Sequence, residues 1–529
     1  MHPSRLPAIL PGLLAAVALP LLAQEPAAPP PKPRISVDLS ADFLALHVKI
    51  QAPEGTTKVQ YRFGAETAVP TDSQWTDAPP LTAEDRRVSL DLPLPRSRWT
   101  EFQARALKDT EVLATSTKRH TPRALTLVTP ERLAALPESD RPAWTAYVEK
   151  SARLADAEFD HLAAECRAAA MPRSRPAPSG GEFEIDDDTP DSWYRSDTAA
   201  RLAAAVISFQ TPSGGWSKSL SFEEGSRQPG THWTSHPDDP WHYSGTLDNR
   251  ATTEQIRYLA IFHSITGDSD ARAAALRGLE WLLSAQYPNG GWPQNYPLES
   301  GYHEAITLND NAMLHAMQLA LDASRGEAPF TFVDAPLRQR LAGAFDRALD
   351  CLSAAQVSFG GKPSIWCAQH DPLTLQPAAA RLKEPPSLSG GESAEMLKFL
   401  MREGPLTDRI VALVEPAVAW LDAHRVTGLK KTKNEAGKTD YIADPASDEV
   451  YWARFYDPVT ARPLFAGSQD GIVYATFTEM AAKNKVSYDY FVTRPGEVIG
   501  KEMDRWRKRM DKEGFTPAQP SPGTDQPSR

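Results

Sequence analysis

The sequence contains few cysteines, only Cys166, Cys351 and Cys367 among 529 residues. Three cysteines are too few for a disulfide-dense scaffold, and their positions lack the spacing of a zinc site. Cys351 and Cys367 either form one disulfide, if the chain matures in an oxidising compartment, or remain as buried thiols. The cysteines therefore give no indication of a metal site.

The sequence also lacks an excess of positive charge. It has 57 Lys and Arg residues against 68 Asp and Glu residues, a formal net charge of -11, and no stretch that is dense in Lys or Arg. This balance argues against binding to nucleic acid. It does not exclude an acidic substrate, because a local cluster of arginines and a metal ion can set the field in a cleft.

Long apolar runs are missing after the N-terminus. Residues 1–23 have the features of a secretory signal peptide: a short basic start, an apolar run from Leu6 to Ala23 and a small residue at the cleavage point. The run is short for a membrane span, Pro11 and Pro20 interrupt it, and no second span follows. We expect a secreted or periplasmic protein whose mature chain has no membrane span.

A β-rich segment follows the signal peptide. Residues 24–34 form a Pro-rich linker, and residues 35–123 contain alternating runs such as KVQYRF and VSLDLPL between turn-rich stretches. Alternation at a period of two is typical of half-buried strands, and this pattern predicts a β-sandwich accessory domain of the fibronectin III or immunoglobulin type. Trp75 and Trp99 are its predicted core residues.

An internal repeat marks residues 124–500. A helix followed by QTPSGGW, ending at Trp216, recurs as a helix followed by QYPNGGW, ending at Trp292, and AAQVSFGGKPSIW, ending at Trp366, is a looser third copy. Helical hairpins that cannot bury their apolar faces alone must pack on one another, so the fold class is mainly α with an α/α toroid. The tryptophans either stack on sugars or, as the pattern favours, anchor the packing.

Two further segments lie at the edges of the repeat. An acidic stretch with Asp186, Asp187, Asp188 and Asp191 interrupts the first helices. It either binds calcium or, as its lack of an EF-hand glycine and terminal glutamate favours, forms a solvated loop. The last segment, residues 501–529, is charged and then rich in proline, and we expect it to fray.

Two acidic sites occupy corresponding helix starts in successive repeats. Asp248 and Asn249 precede a helix in SGTLDNRATTEQ, and Asn309 and Asp310 precede another in AITLNDNAML. One interpretation is N-capping, because Asp and Asn accept hydrogen bonds from the first helical amides. The other is a shared hard cation such as calcium, because a toroid brings like ends of neighbouring hairpins to one face.

The segment from Trp366 to Glu392 lies between helices but has no helical period. Its prolines, a Ser-Gly-Gly turn and a lone arginine, Arg381, predict a long ordered loop, and such loops in compact domains are usually functional. His370 and Asp371 are candidates for a hydrolytic base pair, but no nucleophile is marked nearby. A structural hydrogen bond is therefore favoured for them.

These blocks together resemble the pectate lyases of polysaccharide lyase family 10. TLDN, TLNDNAM, the two GGW turns, CAQHD with AAAR and PSLSGGES, and RFYDPVTARPLFAGSQDG match family blocks in the same order, over roughly residues 193–490. The resemblance implies an α/α toroid with a cleft, and cleavage of polygalacturonate by calcium-assisted β-elimination.

The resemblance also implies roles for particular residues. They are Asp248 and Asp310 at the catalytic calcium, Asn249 in substrate contact, Arg381 in proton abstraction and Arg454 in binding of a uronate carboxylate. Lys218, after the first GGW turn, is a further candidate for carboxylate binding. Arginine is an unusual base because its guanidinium stays protonated in nearly all settings. The alternative for Arg381 is a loop brace paired with Glu384 or Glu392.

Two positions depart from the family pattern. Ser468 and Gln469 precede an Asp-Gly pair where the pattern has an arginine, and Lys383 precedes Glu384 where it has an aromatic residue. The first departure leaves open a lyase for another polyuronide. A carbohydrate-binding toroid without turnover is the alternative from a different class of protein.

Overall fold

The structure is a computed structural model of the chain. It describes residues 34–41, 45–65, 75–82, 84–93, 100–120, 125–171, 174–186, 188–236, 245–434 and 437–518. The predicted signal peptide, nearly all of the predicted linker, Trp99, Asp187 and residues 519–529 lie outside these ranges. Within the described ranges, no helix combines the length and the apolar character that crossing a membrane requires.

Residues 34–120 form two antiparallel sheets. The strands are β1 (Ser36–Ala41), β2 (Ala45–Gln51), β3 (Lys58–Ala65), β4 (Thr76–Asp77), β5 (Arg87–Pro93), β6 (Thr100–Lys108) and β7 (Glu111–His120), in the orders β1-β2-β5 and β4-β3-β6-β7. Alternate residues such as Val48 and Phe102 form one shared hydrophobic cluster. Trp75 is not packed there as predicted: it is half-buried, with the guanidinium groups of Arg62 and Arg105 at 4.5 and 4.3 Å from its ring centre.

Most of the remaining chain is helical. The helices are α1 (Pro130–Ala134), α2 (Arg141–Ala168), α3 (Asp191–Tyr194), α4 (Asp197–Ser208), α5 (Thr253–Thr266), α6 (Ser269–Ala285), α7 (Ala312–Arg325), α8 (Ala335–Ala355), α9 (Gly390–Arg402), α10 (Asp408–Ala423), α11 (Phe477–Lys483), α12 (Arg494–Glu497) and α13 (Met503–Glu513). Helices α5, α7 and α9 contact one another in succession, and α4, α6, α8 and α10 do the same in a second layer. Two layers of successive hairpins agree with the predicted α/α repeat.

A glutamine closes each turn from the second layer to the first. Gln210, Gln286 and Gln356 each donate through Nε2 to a carbonyl of their own turn and to a carbonyl of the next second-layer helix, at 2.8 to 3.0 Å. The sequence repeat includes these glutamines, but sequence reasoning gave them no role. Each one ties a turn to the neighbouring hairpin and so fixes how successive repeats stack.

The repeated tryptophans anchor the same turns. Trp216, Trp292 and Trp366 are fully buried, and each indole Nε1 donates to a carbonyl of the helix before its turn, at 2.7 to 2.9 Å. Buried tryptophans usually satisfy their N–H in this way. Since none of the three is exposed to solvent, the packing interpretation is the one that the structure supports.

Short strand pairs form in the segments between the helices. They are β8 (Gly245–Thr246) with β9 (Asn295–Tyr296), β10 (Ile306–Thr307) with β13 (Gln369–His370), β11 (Ser358–Phe359) with β12 (Lys362–Pro363), β14 (Leu388–Ser389) with β18 (Phe455–Tyr456), β15 (Leu429–Lys433) with β16 (Thr439–Ala443), β17 (Trp452–Ala453) with β21 (Phe491–Val492), and β19 (Phe465–Ala466) with β20 (Val473–Tyr474). An aromatic cluster that includes Tyr441, Phe477 and Phe491 packs beneath the later pairs.

The sequence predicts that the chain frays after Gly500. The structure instead continues as a helix there. Helix α13 buries Met503, Trp506 and Met510 in the same hydrophobic cluster as the repeat helices. A bidentate pair between Arg402 of α9 and the buried Glu502, at 2.7 and 2.8 Å, fixes the start of this helix. The helical domain therefore extends at least to residue 513.

Candidate active site

Two tight turns bring the acidic helix starts together. Residues 248–250 and 309–311 form 3-10 turns that contact each other just before α5 and α7. Asn249 and Asp310 adopt left-handed backbone conformations, with φ of 50° and 51°. Asn and Asp adopt left-handed conformations more readily than other residues with a Cβ. The sequence motifs TLDN and TLND are therefore compatible with such turns.

The capping interpretation of these aspartates does not match the structure. The capping positions of α5 and α7 are Thr252 and Asn311, and neither makes a side-chain cap bond. Asp248 and Asp310 instead lie within the preceding turns. Their carboxylates are therefore not used as helix caps.

Asp248 is buried, and its two oxygens have different surroundings. Oδ2 pairs with Nζ of Lys218, whereas Oδ1 is enclosed without a hydrogen-bond partner. Buried carboxylate oxygens nearly always have a donor or a cation. The bare Oδ1 is thus the kind of atom that a bound cation or a substrate group would satisfy.

Asp310 lies among other carboxylates. Its Oδ2 accepts a hydrogen bond from Asn309, and its Oδ1 is 3.7 Å from Nη2 of Arg454. Its pKa is raised to about 6, chiefly by burial and further by the negative charges of Asp248 and Glu392. The negative charges of Asp248 and Glu392 repel the charged form of Asp310, and a bound cation would relieve this repulsion.

Arg454 lies beside Asp310 and Glu392. Its Nη2 is 3.0 Å from Oε1 of the buried Glu392, and its guanidinium carbon lies 4.3 Å from the ring centre of Tyr488. Sequence reasoning considered Glu392 only as a brace for Arg381 and did not identify Tyr488. The one available signal for Tyr488 was its place near the end of the range that resembles the family, roughly residues 193–490.

Arg381 is paired in the way that the bracing alternative predicted. Its Nε and Nη2 donate to the two oxygens of Glu384, both at 2.7 Å, and Nη2 also donates to the hydroxyl of Tyr488 at 2.7 Å. The hydroxyl of Tyr488 in turn donates to Glu384. The hydrogen bonds from Arg381 to Glu384 raise the pKa of Arg381 above its ordinary value.

The pairing between Arg381 and Glu384 leaves one guanidinium nitrogen of Arg381 unused. The side chain of Arg381 is 45% exposed, whereas that of Glu384 is 1% exposed. Glu384 engages Nε and Nη2, so Nη1 is the nitrogen outside the bidentate pair. Tyr488 connects Arg381 with Arg454 and so joins the loop to the acidic turns.

The loop around Arg381 has an internal scaffold. His370 accepts from the backbone N–H of Cys367 at 3.0 Å and donates to the carbonyl of Leu375 at 2.9 Å. Nη2 of Arg132 donates to both carboxylate oxygens of Asp371, at 2.7 and 2.9 Å. His370 and Asp371 are therefore engaged in structural bonds, as favoured from the sequence, and not with each other as a base pair.

The cysteines are buried free thiols. Cys166, Cys351 and Cys367 form no disulfide, so the thiol alternative holds for the pair beside the loop. Burial raises the pKa of Cys351 and Cys367 to about 12, which keeps both protonated at neutral pH.

The residues that depart from the family pattern contact the segment from Asn484 to Tyr488. The hydroxyl of Ser468 donates to the backbone carbonyl of Lys485 at 2.8 Å, and the backbone N–H of Gln469 donates to Oδ1 of Asn484 at 2.9 Å. These bonds hold a tight turn. Lys383 extends along the ring of Tyr488, with Nζ 4.2 Å from the ring centre.

No preformed metal cage is present in the described part of the chain. There, no group of three or more His, Cys, Asp or Glu side chains gathers closely enough to hold an ion by itself. Asp186 accepts the backbone N–H of Asp188, as in a solvated turn. A cation at Asp248 and Asp310 would consequently share its coordination with substrate or water.

The structure brings most of the predicted site residues together. Lys218 contacts Asp248, the turns of Asp248 and Asp310 touch, Arg454 lies beside Asp310, and Tyr488 links Arg381 to this group. Helical hairpins that present carboxylates, a lysine and two arginines at one site are typical of the class of enzyme that binds an anionic ligand together with a cation.

Comparison with known proteins identifies the family. A family model described as pectic acid lyase matches residues 210–499, which is more than half of the chain. The chain belongs to this family, the pectate lyases of polysaccharide lyase family 10. No match is found among curated proteins.

Two solved structures are similar to this chain. One is a family 10 polysaccharide lyase from Cellvibrio cellulosa, with 30% sequence identity and a TM-score of 0.51 over 64% of this chain and 100% of that chain. The other is an aspartate-to-alanine mutant of a family 10 lyase from the same organism, in complex with trigalacturonic acid, with 30% identity and a TM-score of 0.51 over 59% of this chain and 95% of that chain.

Proposed function

We propose that the protein is an exported pectate lyase that cleaves polygalacturonate by calcium-assisted β-elimination. The observation that carries the proposal is the position of Asp248 and Asp310 on touching turns, with Lys218 and Arg454 beside them. Carboxylates that face one another need a cation, and the flanking cations suit a substrate with regularly spaced carboxylates. The similar lyase that binds trigalacturonic acid supports the same substrate class.

Asp248 and Asp310 are the residues that would hold calcium. Calcium prefers oxygen ligands, and the bare buried Oδ1 of Asp248 and the raised pKa of Asp310 fit such an ion. When bound, calcium would neutralise the substrate carboxylate and stabilise the negative charge that develops on it as the neighbouring C5 loses its proton.

The residues of the chain supply orientation and proton transfer. Arg454 and Lys218 hold uronate carboxylates, and Asn249 contacts the sugar beside Asp248. Arg381 takes the proton from C5; the electrons of the C5–H bond form a C4–C5 double bond, the C4–O4 bond breaks with its electron pair on O4, and the departing O4 takes a proton from solvent water. This role requires an unprotonated guanidine.

The pairing of Arg381 with Glu384 sets a condition on this mechanism. In the arrangement described, Glu384 stabilises the charged guanidinium, so substrate and calcium must offset that effect before Nη1 acts as a base. A bound divalent cation and the nearby Arg454 both repel the positive charge of the Arg381 guanidinium. This repulsion lowers the pKa of Arg381 and so favours the unprotonated base.

The N-terminal sheets are proposed to form an accessory module. Two antiparallel sheets around one shared cluster fit a β-sandwich of the fibronectin III or immunoglobulin kind. Such a module would act as a spacer or as a polysaccharide contact for an enzyme exported by the signal peptide predicted at residues 1–23.

The test is product analysis on a panel of uronides. Polygalacturonate should yield oligosaccharides with an unsaturated end, seen as a rise in ultraviolet absorbance. Reducing ends without this absorbance would indicate hydrolysis and would overturn the elimination. Faster cleavage of another polyuronide would favour the second candidate, a lyase of different specificity, which the absence of the family arginine at Ser468 motivates.

A further inference from the structure

A groove with basic walls begins beside the candidate active site. Its cavity volume is about 860 Å³, within the range of ligand-binding clefts. It is lined by residues at the tip of the β15–β16 hairpin, by the end of α11 and by the chain from Asn484 to Tyr490. Lys438, Lys483 and Lys485 are exposed on its walls.

The groove is continuous with the site through one side chain. Tyr488 lines the groove, and the same residue donates to Glu384, accepts from Arg381 and stacks under Arg454. Lys383 crosses from the loop of Arg381 to the groove wall, where its Nζ donates to the hydroxyl of Ser487 at 3.0 Å. A ligand chain that leaves Arg381 therefore meets the groove directly.

The charge of the groove is opposite to that of the whole protein. The chain carries a formal net charge of -11, yet the described lining residues include three lysines and a single carboxylate, that of Asp489. Lysines grouped on the walls of a cleft concentrate positive potential there, whatever the total charge. An acidic polymer is the ligand that this local field attracts.

We infer that the groove binds additional uronate units of the polymer, beyond the sugars held at Arg381 and Arg454. Lys383, Lys483 and Lys485 would pair with successive carboxylates along the chain. This inference rests on the proposed function, because it takes the ligand to be the same acidic polysaccharide. It predicts that the enzyme prefers long substrates and that the preference weakens at high salt.

The experiment compares two pairs of lysines in the full-length protein. K483Q/K485Q removes two charges from the groove, and K362Q/K508Q removes two from exposed lysines outside its lining. Initial rates of unsaturated product are measured on polygalacturonate and on trigalacturonate. The groove variant should lose about fivefold in kcat/KM on the polymer and less than twofold on the trimer, since exposed ion pairs contribute modestly.

Each outcome decides the matter. A similar polymer-specific loss in K362Q/K508Q would indicate nonspecific charge, and an unchanged ratio of polymer to trimer rates in K483Q/K485Q would overturn the groove assignment. If the wild-type protein makes no unsaturated product, the proposed function fails separately. Retention of the protein in gels containing polygalacturonate then tests the groove: K483Q/K485Q should be retained less than K362Q/K508Q, which carries the same net charge, and equal retention of the two variants would contradict it.

Discussion

Asp310 has a carboxyl group whose charge is opposed by its surroundings. Burial, Asp248 and Glu392 all disfavour the charged form, and Arg454 and Arg381 only partly offset them. A group with a raised acid pKa weakens the folded state as pH rises, because the native protein holds the proton that the unfolded chain has already released. For Asp310 this loss develops from its ordinary pKa of 3.8 to about 6.

Asp310→Asn should therefore separate stability from activity. Without calcium, the variant should be about 1 kcal/mol more stable than wild type at pH 7, after allowance for the partial exposure of the side chain. The same change removes a calcium ligand and should reduce turnover on polygalacturonate by more than tenfold. Denaturant titration in chelator and product absorbance in calcium measure the two effects. Normal calcium dependence in this variant would remove Asp310 from the metal site.

Arg381 has two candidate roles that one pair of variants distinguishes. Arg381→Ala leaves the buried Glu384 without its bidentate partner and should cost about 1 to 3 kcal/mol in the free energy of unfolding. Arg381→Ala/Glu384→Gln removes that unpaired charge and should recover much of the stability. If Arg381 is the base, both variants lose turnover on polygalacturonate. Activity that returns with stability in the double variant would show that Arg381 is only a brace.

At the scale of elements, the loop from Trp366 to Glu392 depends on His370. Burial lowers the pKa of His370 to about 4, so the folded state holds the neutral ring that accepts from Cys367. Between pH 6.5 and 4 the unfolded chain binds the additional proton. The stability that the neutral ring contributes is therefore present above pH 6.5 and is lost as pH falls through this window.

His370→Gln tests this assignment. The wild-type protein should lose about 3 kcal/mol more than the variant in free energy of unfolding when the pH is lowered from 7 to 4. The difference between the two proteins isolates His370 from other buried histidines such as His232. Denaturant titrations at both pH values give the comparison, and parallel losses in the two proteins would refute it.

The glycine turns of the repeat give a second prediction at this scale. Gly290 has φ of 92°, and a Cβ there would lie 2.1 Å from the carbonyl oxygen of Arg347. Gly290→Ala should destabilise the protein by about 2 kcal/mol or more, through strain and the displaced backbone. Gly343→Ala, inside α8, adds a Cβ that meets only Nη1 of Arg347, in ordinary contact at 3.5 Å, and should instead stabilise it by about 0.5 to 1 kcal/mol. Thermal melting compares them; equal effects would contradict the turn argument.

The elements differ in how far the sequence predicts them. The hairpins were predictable because glycine turns and tryptophans recur at similar positions, and Asp248 and Asp310 were predictable because they occupy equivalent places in two repeats. The pairing of Glu392 with Arg454 was not, since these residues are 62 positions apart with no shared period. Helix α13 was missed because its apolar face is only a few residues wide among many charges.

For the whole molecule, the distribution of charge matters more than its sum. A net charge of -11 does not exclude an acidic substrate, because lysines and arginines lie where the acidic turns meet. The two-layer repeat fixes that face by stacking hairpins through buried tryptophans and glutamines. The scaffold therefore groups carboxylates that suit a cation next to basic side chains that suit an anionic polymer.

The most direct test of this account is a calcium add-back experiment on the wild-type protein. Ultraviolet absorbance of the unsaturated product is followed on polygalacturonate, first with chelator, then after excess calcium is restored. The account predicts no product with chelator and recovery of the initial rate with calcium, at unchanged protein stability. An undiminished rate of unsaturated product in chelator would contradict the calcium role of Asp248 and Asp310, and a polymer that shortens without absorbance would contradict elimination itself.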